Sequence, residues 1–138
     1  MAAIMRLYRQ LNPDDPVLDN GRDQAVFDQI LKQDGLHLFV LESAGQIVSS
    51  CYLNVIPNLT RSAQPYALIE NVVTEEAVRG QGFGKQVIKH AVSQAWAVGC
   101  YKVMLMTSST EESTHAFYRS CGFSSDEKQA YIIRAPKS

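Results

Sequence analysis

Residues 66–85 read YALIENVVTEEAVRGQGFGK, and the spacing of the apolar residues changes within this stretch. Residues 66–74 are almost continuously apolar apart from Glu70 and Asn71, which is typical of a buried strand. Beyond Phe83 the apolar residues recur at helical spacing, at Val87, Ile88, Ala91, Val92, Ala95 and Trp96. The sequence therefore predicts a strand, a glycine-rich turn and a helix in direct succession.

The turn, Arg79-Gly80-Gln81-Gly82-Phe83-Gly84-Lys85, has the composition of a phosphate-binding loop. Glycines adopt positive φ angles at low cost, and the first amides of a helix have no partner within that helix. Because the helix dipole adds partial positive charge there, such a turn can hold phosphate. Lys85 is followed by Gln86 rather than by Ser or Thr, and the alternating glycines do not fit GxGxxG. These differences argue against a nucleotide P-loop and a dinucleotide fingerprint.

Working outward from this turn, hydrophobic periodicity predicts an α/β protein. Helices are expected at residues 4–11, at 23–33, from 83 to a stop at Gly99, and at 109–121. Strands are expected at residues 36–42, 47–56, 66–74, 102–107 and 130–134, with a loop at 58–65. Ser109 and Glu112 have the spacing of a capping box for the last helix, which Gly122 ends. Residues 66–107 form a βαβ unit, so parallel pairing of its two strands is expected.

Composition limits the possible functions. A length of 138 residues suits one domain spanning residues 1–138. The formal net charge of -1 predicts no general affinity for nucleic acid or an anionic membrane. Cys51, Cys100 and Cys121 have neither CxxC spacing nor a nearby His, which argues against a disulfide framework and a metal site. With no visible signal peptide or membrane-spanning run, we expect a cytoplasmic protein.

The spacing Arg-x-x-Gly-x-Gly from Arg79 to Gly84 resembles the pyrophosphate loop of the GNAT N-acetyltransferase superfamily. Downstream, FYRSCGF at residues 117–123 resembles the family's second landmark, Phe-Tyr-x-x-x-Gly-Phe. The resemblance covers residues 36–134 and implies an acetyl-CoA-dependent N-acetyltransferase with a mixed central sheet flanked by helices on both faces. The strand that opens most family members is missing, because helix-like sequence follows Met1 almost at once.

The resemblance also indicates which groups would bind acetyl-CoA, the acetyl donor. Free backbone groups of a strand that splays from its neighbour would bind the pantetheine arm, at Val72, Val73 and Thr74, with the Val72 amide as an oxyanion donor. The loop residues would hold the pyrophosphate: Arg79, Gly80, Gln81, Gly82, Phe83, Gly84 and Lys85. Glu111 stands where many family members have an Asn that contacts pantetheine, so the resemblance does not support that contact here.

Two residues are candidates for proton transfer. Glu70 interrupts an apolar strand at a position where some GNAT enzymes carry their general base, and we expect its partial burial to serve that role. Tyr118 matches the family tyrosine that points at the sulfur, and a phenol can donate its proton to the departing thiolate. The alternatives are an ion pair of Glu70 at the strand edge and a Tyr118 ring that only packs.

The sequence says less about the amine that accepts the acetyl group. The segments IENVV, residues 99–102 and FYRSCGF are similar to glucosamine-6-phosphate N-acetyltransferases. That similarity implies a homodimer that acts on a small-molecule amine such as an amino sugar phosphate. The anionic group of this substrate would bind Arg134. A surface ion pair explains Arg134 equally well. The shared segments lie in the cofactor half, so protein or peptide amines stay open. So do a catalytically silent acyl-CoA sensor and an interaction domain without a ligand.

Overall fold

Four strands form a mixed sheet whose spatial order, β1-β2-β3-β4, follows the chain. The structure is a computed structural model and describes residues 1–137. The helices are α1 (Ala2–Leu11), α2 (Arg22–Lys32), α3 (Thr60–Ala63), α4 (Phe83–Ala97) and α5 (Glu112–Ser120). The strands are β1 (Leu36–Ser43), β2 (Gln46–Ile56), β3 (Tyr66–Thr74) and β4 (Val103–Leu105), and a 3-10 turn (Glu76–Val78) follows β3.

The chain forms two compact units, of which the first is Met1–Leu105 and the second begins at Met106. The first unit contains the whole sheet with α1 to α4, and the second contains α5. Within the sheet, β1 pairs antiparallel with β2, β2 pairs antiparallel with β3, and β3 pairs parallel with β4. Since α4 connects the two parallel strands, the predicted βαβ unit is confirmed.

Helices cover both faces of the sheet. The ring of Phe39 in β1 meets His90 of α4 at 4.9 Å, whereas the adjacent Leu38 lines a groove with α1 and α2. Successive strand side chains point to opposite faces, so α4 lies on one face and α1 with α2 on the other. The buried core includes Ile4, Leu7, Val48, Leu53, Ile69, Val87, Ile88, Ala91 and Ala95. The predicted fold class is confirmed, and within residues 1–137 no strand precedes α1.

Local patterns on either side of the glycine loop predict the structure well. β3 has the predicted bounds, and α4 begins at Phe83 as expected. The helix ends at Ala97, and Gly99 adopts a φ of 86° just beyond it. Within the loop expected at residues 58–65, the short element α3 is a left-handed turn rather than a regular helix, since Arg61 has a φ of 54° and Ser62 a φ of 60°.

The capping box expected at Ser109 and Glu112 is wrong. The N-cap of α5 is Glu111, which makes no side-chain cap bond. The Ser109 hydroxyl instead accepts a hydrogen bond from the Glu111 amide at 3.2 Å, and it donates one to the Thr114 hydroxyl at 3.1 Å. A serine that bonds the amide two residues onward stabilises a turn rather than a helix start, so α5 begins later than predicted.

The strand expected at residues 130–134 is also wrong, because the described structure has no strand after β4. Tyr131, Ile132 and Ile133 are 88%, 77% and 97% exposed. The strand preference of β-branched and aromatic residues depends on packing against a neighbouring strand. These residues have no such neighbour among residues 1–137, so their preference produces no strand.

All three cysteines are free thiols, as the sequence predicted. Cys51 and Cys100 are buried, and Cys121 is half-buried. Burial raises the pKa of Cys51 to about 12, because a thiolate would be poorly solvated there. Cys51 is therefore a packing residue rather than a nucleophile.

None of the helices described is both long enough and apolar enough to cross a membrane.

Candidate functional site

A β-bulge interrupts the pairing of β2 with β3. Ser50 pairs with Val73 and Tyr52 pairs with Glu70, so two residues of β3, Asn71 and Val72, lie opposite one residue of β2. Asn71 has a φ of 52°, which is rare for a residue other than glycine but is tolerated best by Asn and Asp. Bulges redirect side chains and are common beside active sites. This bulge directly follows the predicted base, Glu70, and contains the predicted oxyanion donor, Val72.

The edge of β3 that faces β4 is paired only at its beginning. The described register joins Ala67, Leu68 and Ile69 to β4 and ends there. The backbone of the predicted pantetheine segment, Val72 to Thr74, therefore lies beyond that pairing. On the β2 side the segment is well anchored, because the buried Ser49 hydroxyl donates to the Val73 carbonyl at 3.1 Å. This arrangement agrees with a strand that splays from its neighbour.

The glycine loop presents backbone amides at the start of α4. Gly80 and Gly82 each have a φ of 85°, and Gly82 is the N-cap of the helix. A Cβ atom at either glycine would meet nothing within 4 Å, so open space surrounds both. The first bond of the helix runs from the Gln86 amide to the Gly82 carbonyl, at 3.1 Å. The three preceding amides therefore lie before the helical bonding pattern and can bind an anion.

The side chains that flank the loop differ in position. The Nε of Arg79 donates to the Thr74 carbonyl at 3.0 Å, so this side chain folds back onto the end of β3. Lys85 is half-buried in the first turn of α4, and Gln81 is exposed. The predicted loop residues thus surround the amides of the helix start, with Arg79 fixing the turn that precedes them.

Polar side chains of α1 fix the same turn from the other side. Gln10 donates from Nε2 to the Glu75 carboxylate at 2.7 Å, and its Oε1 accepts the Glu76 amide at 2.9 Å. Arg6 pairs with the Glu75 carboxylate and also donates to the Ile47 carbonyl at 2.7 Å. The helix is therefore joined to the segment that connects β3 with the glycine loop.

Replacement of Glu75 by Gln is expected to lower the stability of the fold at neutral pH. It should also make that stability fall less steeply as the solution becomes acidic. The hydrogen bond from Gln10, with the charge of Arg6, holds the pKa of Glu75 below its usual 4.5. A carboxylate whose pKa is lowered by folding stabilises the fold above its unfolded pKa, and this contribution is lost as pH falls through the folded pKa. Urea unfolding midpoints of Glu75→Gln and the unchanged protein should differ at neutral pH and converge in acid.

The matched control is Glu76→Gln, because Glu76 contacts Gln10 through its backbone amide rather than its carboxylate. This control should leave the midpoint unchanged at neutral pH. Equal midpoints for Glu75→Gln and the unchanged protein at neutral pH would contradict the stabilising role of the Glu75 carboxylate.

The expected burial of Glu70 is wrong. Glu70 is exposed, although it lies in β3 between the buried Ile69 and the bulge at Asn71. Its exposure follows the regular alternation of β3, in which Ala67 and Ile69 are buried and the positions beside them are not, and the bulge breaks this alternation only at Asn71. Glu70 nonetheless lies beside the predicted pantetheine segment, in the same unit as the glycine loop.

Tyr118 belongs to the second unit and takes part in the end of α5. The Phe123 amide bonds the Tyr118 carbonyl at 3.2 Å, and the Gly122 amide bonds the Arg119 carbonyl at 2.9 Å. With Gly122 at a φ of 97°, these bonds form a Schellman motif, in which Tyr118 and Phe123 occupy the two positions of its hydrophobic contact. Their rings meet edge to face at 6.4 Å. The Phe-Tyr-x-x-x-Gly-Phe landmark is therefore a helix ending that orients the tyrosine.

The remaining predicted residue, Arg134, is exposed in the second unit, in the stretch after α5 where the described residues form neither helix nor strand. Sequence reasoning missed Arg6 and Gln10 of α1, which bond the turn that follows β3. No local pattern predicts these contacts, because they join residues more than sixty positions apart. Asn71 did carry a signal, since Asn is depleted in strands and tolerates a left-handed backbone.

Residues 4–123 match the model of a family described as the acetyltransferase (GNAT) family. This match spans most of the chain, so the protein belongs to that family. The class predicted from the glycine loop and the FYRSCGF segment is confirmed.

Two relatives are named glucosamine 6-phosphate N-acetyltransferases. The one from Trypanosoma brucei brucei is 36% identical over 92 residues, which are 67% of this chain and 60% of that protein, so less than two thirds of its length is matched. Glucosamine 6-phosphate N-acetyltransferase 1 of Oryza sativa subsp. japonica is 32% identical over 123 residues, 87% of this chain and 72% of that protein.

Among solved structures, a provisionally assigned acetyltransferase from Agrobacterium tumefaciens str. C58 is 47% identical. Its TM-score is 0.92, and the match covers 97% of this chain and 92% of that one.

Proposed function

We propose that this chain, acting as one domain, transfers the acetyl group of acetyl-CoA directly to the primary amine of a small molecule. The observation that carries the proposal is the loop at the start of α4. It combines left-handed Gly80 and Gly82, open space around both, and first-turn amides that precede the helical bonding pattern. Such a turn suits a diphosphate, and membership of the acetyltransferase family makes acetyl-CoA the donor that carries one.

In this proposal the donor lies along β3 and the loop. Backbone groups of Val72, Val73 and Thr74 bind the pantetheine arm, because their edge of the strand lies beyond the pairing with β4. The loop from Arg79 to Lys85 holds the pyrophosphate, with Lys85 adding charge. The anchored Val73 carbonyl keeps the strand in place while the opposite edge binds the donor.

Glu70 is proposed as the general base and Tyr118 as the general acid. The amine nitrogen attacks the thioester carbonyl as Glu70 accepts its proton, directly or through a water molecule, which the exposure of Glu70 allows. The Val72 amide stabilises the oxyanion that forms. The carbon–sulfur bond then breaks, and the Tyr118 hydroxyl supplies the proton that the thiolate takes up.

An amino sugar phosphate is the proposed acceptor, because both relatives described above are named for glucosamine 6-phosphate. Arg134 would then bind the substrate phosphate, which suits a side chain whose guanidinium is exposed. We further propose that the protein acts in the cytoplasm as a homodimer. The exposed apolar side chains of Tyr131, Ile132 and Ile133 support association of copies, because such a patch is costly to leave in water.

An amine screen tests this function. With acetyl-CoA as donor, thiol release should be fastest with glucosamine 6-phosphate and slower with glucosamine, which lacks the phosphate. A panel of polyamines, amino acids and a lysine peptide covers the other acceptors. Equal rates with glucosamine and its phosphate would contradict a phosphate-binding role for Arg134.

A catalytically silent acyl-CoA sensor is the second candidate, and the exposure of Glu70 favours it because a tuned base is usually shielded from water. Acetyl-CoA should raise the melting temperature in either case, since a ligand of the folded state stabilises it. Thermal stabilisation without thiol release from any amine would support the sensor and contradict the enzyme.

A further inference from the structure

We propose that Ser49 of β2 is a positioning residue for the acetyl donor, whose buried hydroxyl holds Thr74 so that the backbone amide of Thr74 faces the acetyl-CoA site. The inference rests on the proposed function, because the direction of this amide matters only if β3 binds the pantetheine arm. Ser49 acts through Val73 and Thr74 and does not itself touch the donor.

The Ser49 hydroxyl joins β2 to the last two residues of β3. Ser49 is fully buried, and its hydroxyl donates a hydrogen bond to the Val73 carbonyl at 3.1 Å. The same oxygen lies 2.9 Å from the Thr74 hydroxyl. A hydroxyl carries one proton, and that of Ser49 goes to Val73, so the Thr74 hydroxyl must be the donor of the second bond. The side chain of Thr74 is thereby held in one orientation.

The backbone of Thr74 faces the free edge of β3. The Val73 carbonyl and the Glu75 amide, on either side of it, both bond β2, and the amide reaches a backbone carbonyl there at 2.7 Å. Backbone groups of successive strand residues point to opposite edges, which directs those of Thr74 away from β2. The Thr74 carbonyl accordingly accepts a hydrogen bond from the Nε of Arg79 at 3.0 Å. The Thr74 amide lies on the same edge and is the group that we assign to pantetheine.

The end of β3 depends on Ser49 because regular sheet pairing is incomplete there. The bulge at Asn71 and Val72 interrupts the pairing with β2, and the described pairing with β4 ends at Ile69. Thr74 is also the last residue of the strand. A β-branched residue has few side-chain rotamers, so holding its hydroxyl also restricts its backbone. Loss of the Ser49 hydroxyl should therefore let the Thr74 amide vary in direction without separating the strands.

Ser50 provides a matched control. It is the next residue of β2 and is also fully buried, but its hydroxyl donates to the Phe39 carbonyl of β1 at 2.8 Å, on the side away from β3. Ser49→Ala and Ser50→Ala each remove one buried hydroxyl, so their urea unfolding midpoints should fall by similar amounts. In isothermal titration, Kd for acetyl-CoA should rise about fivefold in Ser49→Ala, the equivalent of one ordinary hydrogen bond, and stay unchanged in Ser50→Ala.

Enzyme kinetics separate donor positioning from a general loss of structure. With glucosamine 6-phosphate as acceptor, KM for acetyl-CoA should rise about fivefold in Ser49→Ala, while kcat and KM for the amine change less than about twofold. Ser49→Cys fills the same space with a thiol, which is a weak hydrogen-bond donor. It should raise Kd for acetyl-CoA as Ser49→Ala does, because the loss follows the hydrogen bond rather than the cavity.

Equal Kd values for acetyl-CoA in Ser49→Ala and Ser50→Ala would overturn the inference and leave the proposed function intact. A Ser49→Cys variant that binds acetyl-CoA as tightly as the unchanged protein would overturn it as well. If the unchanged protein does not bind acetyl-CoA, the proposed function fails and the inference fails with it. If it binds acetyl-CoA without acetylating any amine, the Kd comparison still decides the role of Ser49.

Discussion

Replacement of Gly82 by Asp is expected to abolish acetyl-CoA binding while the chain stays folded. Gly82 is the N-cap of α4, with a φ of 85° and open space where a side chain would project. Asp tolerates a left-handed backbone and is a favourable N-cap residue, so the helix start should survive. Its carboxylate would lie where the diphosphate is proposed to bind, and like charges this close should weaken binding at least about a hundredfold.

Asn at the same position is the matched control. It has nearly the same shape and also tolerates the left-handed backbone, but it carries no charge. Isothermal titration of acetyl-CoA into both variants should therefore show a far larger loss for Gly82→Asp than for Gly82→Asn, with similar unfolding midpoints. Equal affinities in the two variants would exclude the start of α4 as the diphosphate site.

Glu70→Gln should lower the rate of acetyl transfer by about a hundredfold, the lower range for loss of a general base. The loss should be largest at acidic pH, where more of the amine is protonated and the base is needed most. Acetyl-CoA affinity should be unchanged, because the proposed diphosphate contacts come from the loop that begins at Arg79. The measurement is kcat with glucosamine 6-phosphate across the pH range in which the protein is folded.

Glu42→Gln is the control for this variant, because Glu42 is another exposed strand carboxylate of the first unit and lies far along the chain from the bulge. It should leave kcat unaltered. A Glu70→Gln profile that overlays the unchanged protein at every pH would remove Glu70 from the mechanism and favour the sensor.

The central part of the fold was predictable because its signals are local. The apolar run of β3, the glycines of the loop and the helical spacing of α4 lie within a few residues of each other, and each has a direct physical meaning. The proposed donor site follows from the same stretch, since backbone groups would form it. The Gly122 helix ending was predictable for the same reason.

Other features depend on partners that are distant in the sequence. The segment at residues 130–134 has strand-forming residues, but a strand forms only against a neighbour, and the described residues provide none there. The burial of Glu70 was mispredicted because the apolar run suggested a strand buried on both faces, whereas β3 alternates between buried and less buried positions and Glu70 falls on the less buried side. Gln10 looked like an ordinary exposed helix residue, and only folding brings it to Glu75.

The contact of α1 with the segment after β3 has a consequence for synthesis on the ribosome. Gln10 emerges from the ribosome 65 residues before Glu75, the partner that it binds. A helix of ten residues is marginal in water without tertiary packing, so α1 must wait, largely unformed, until β3 is available. The nascent α1 segment would therefore expose Ile4 and Leu7 at least until Glu75 has emerged, and the proposed donor loop would gain its support only when α1 docks.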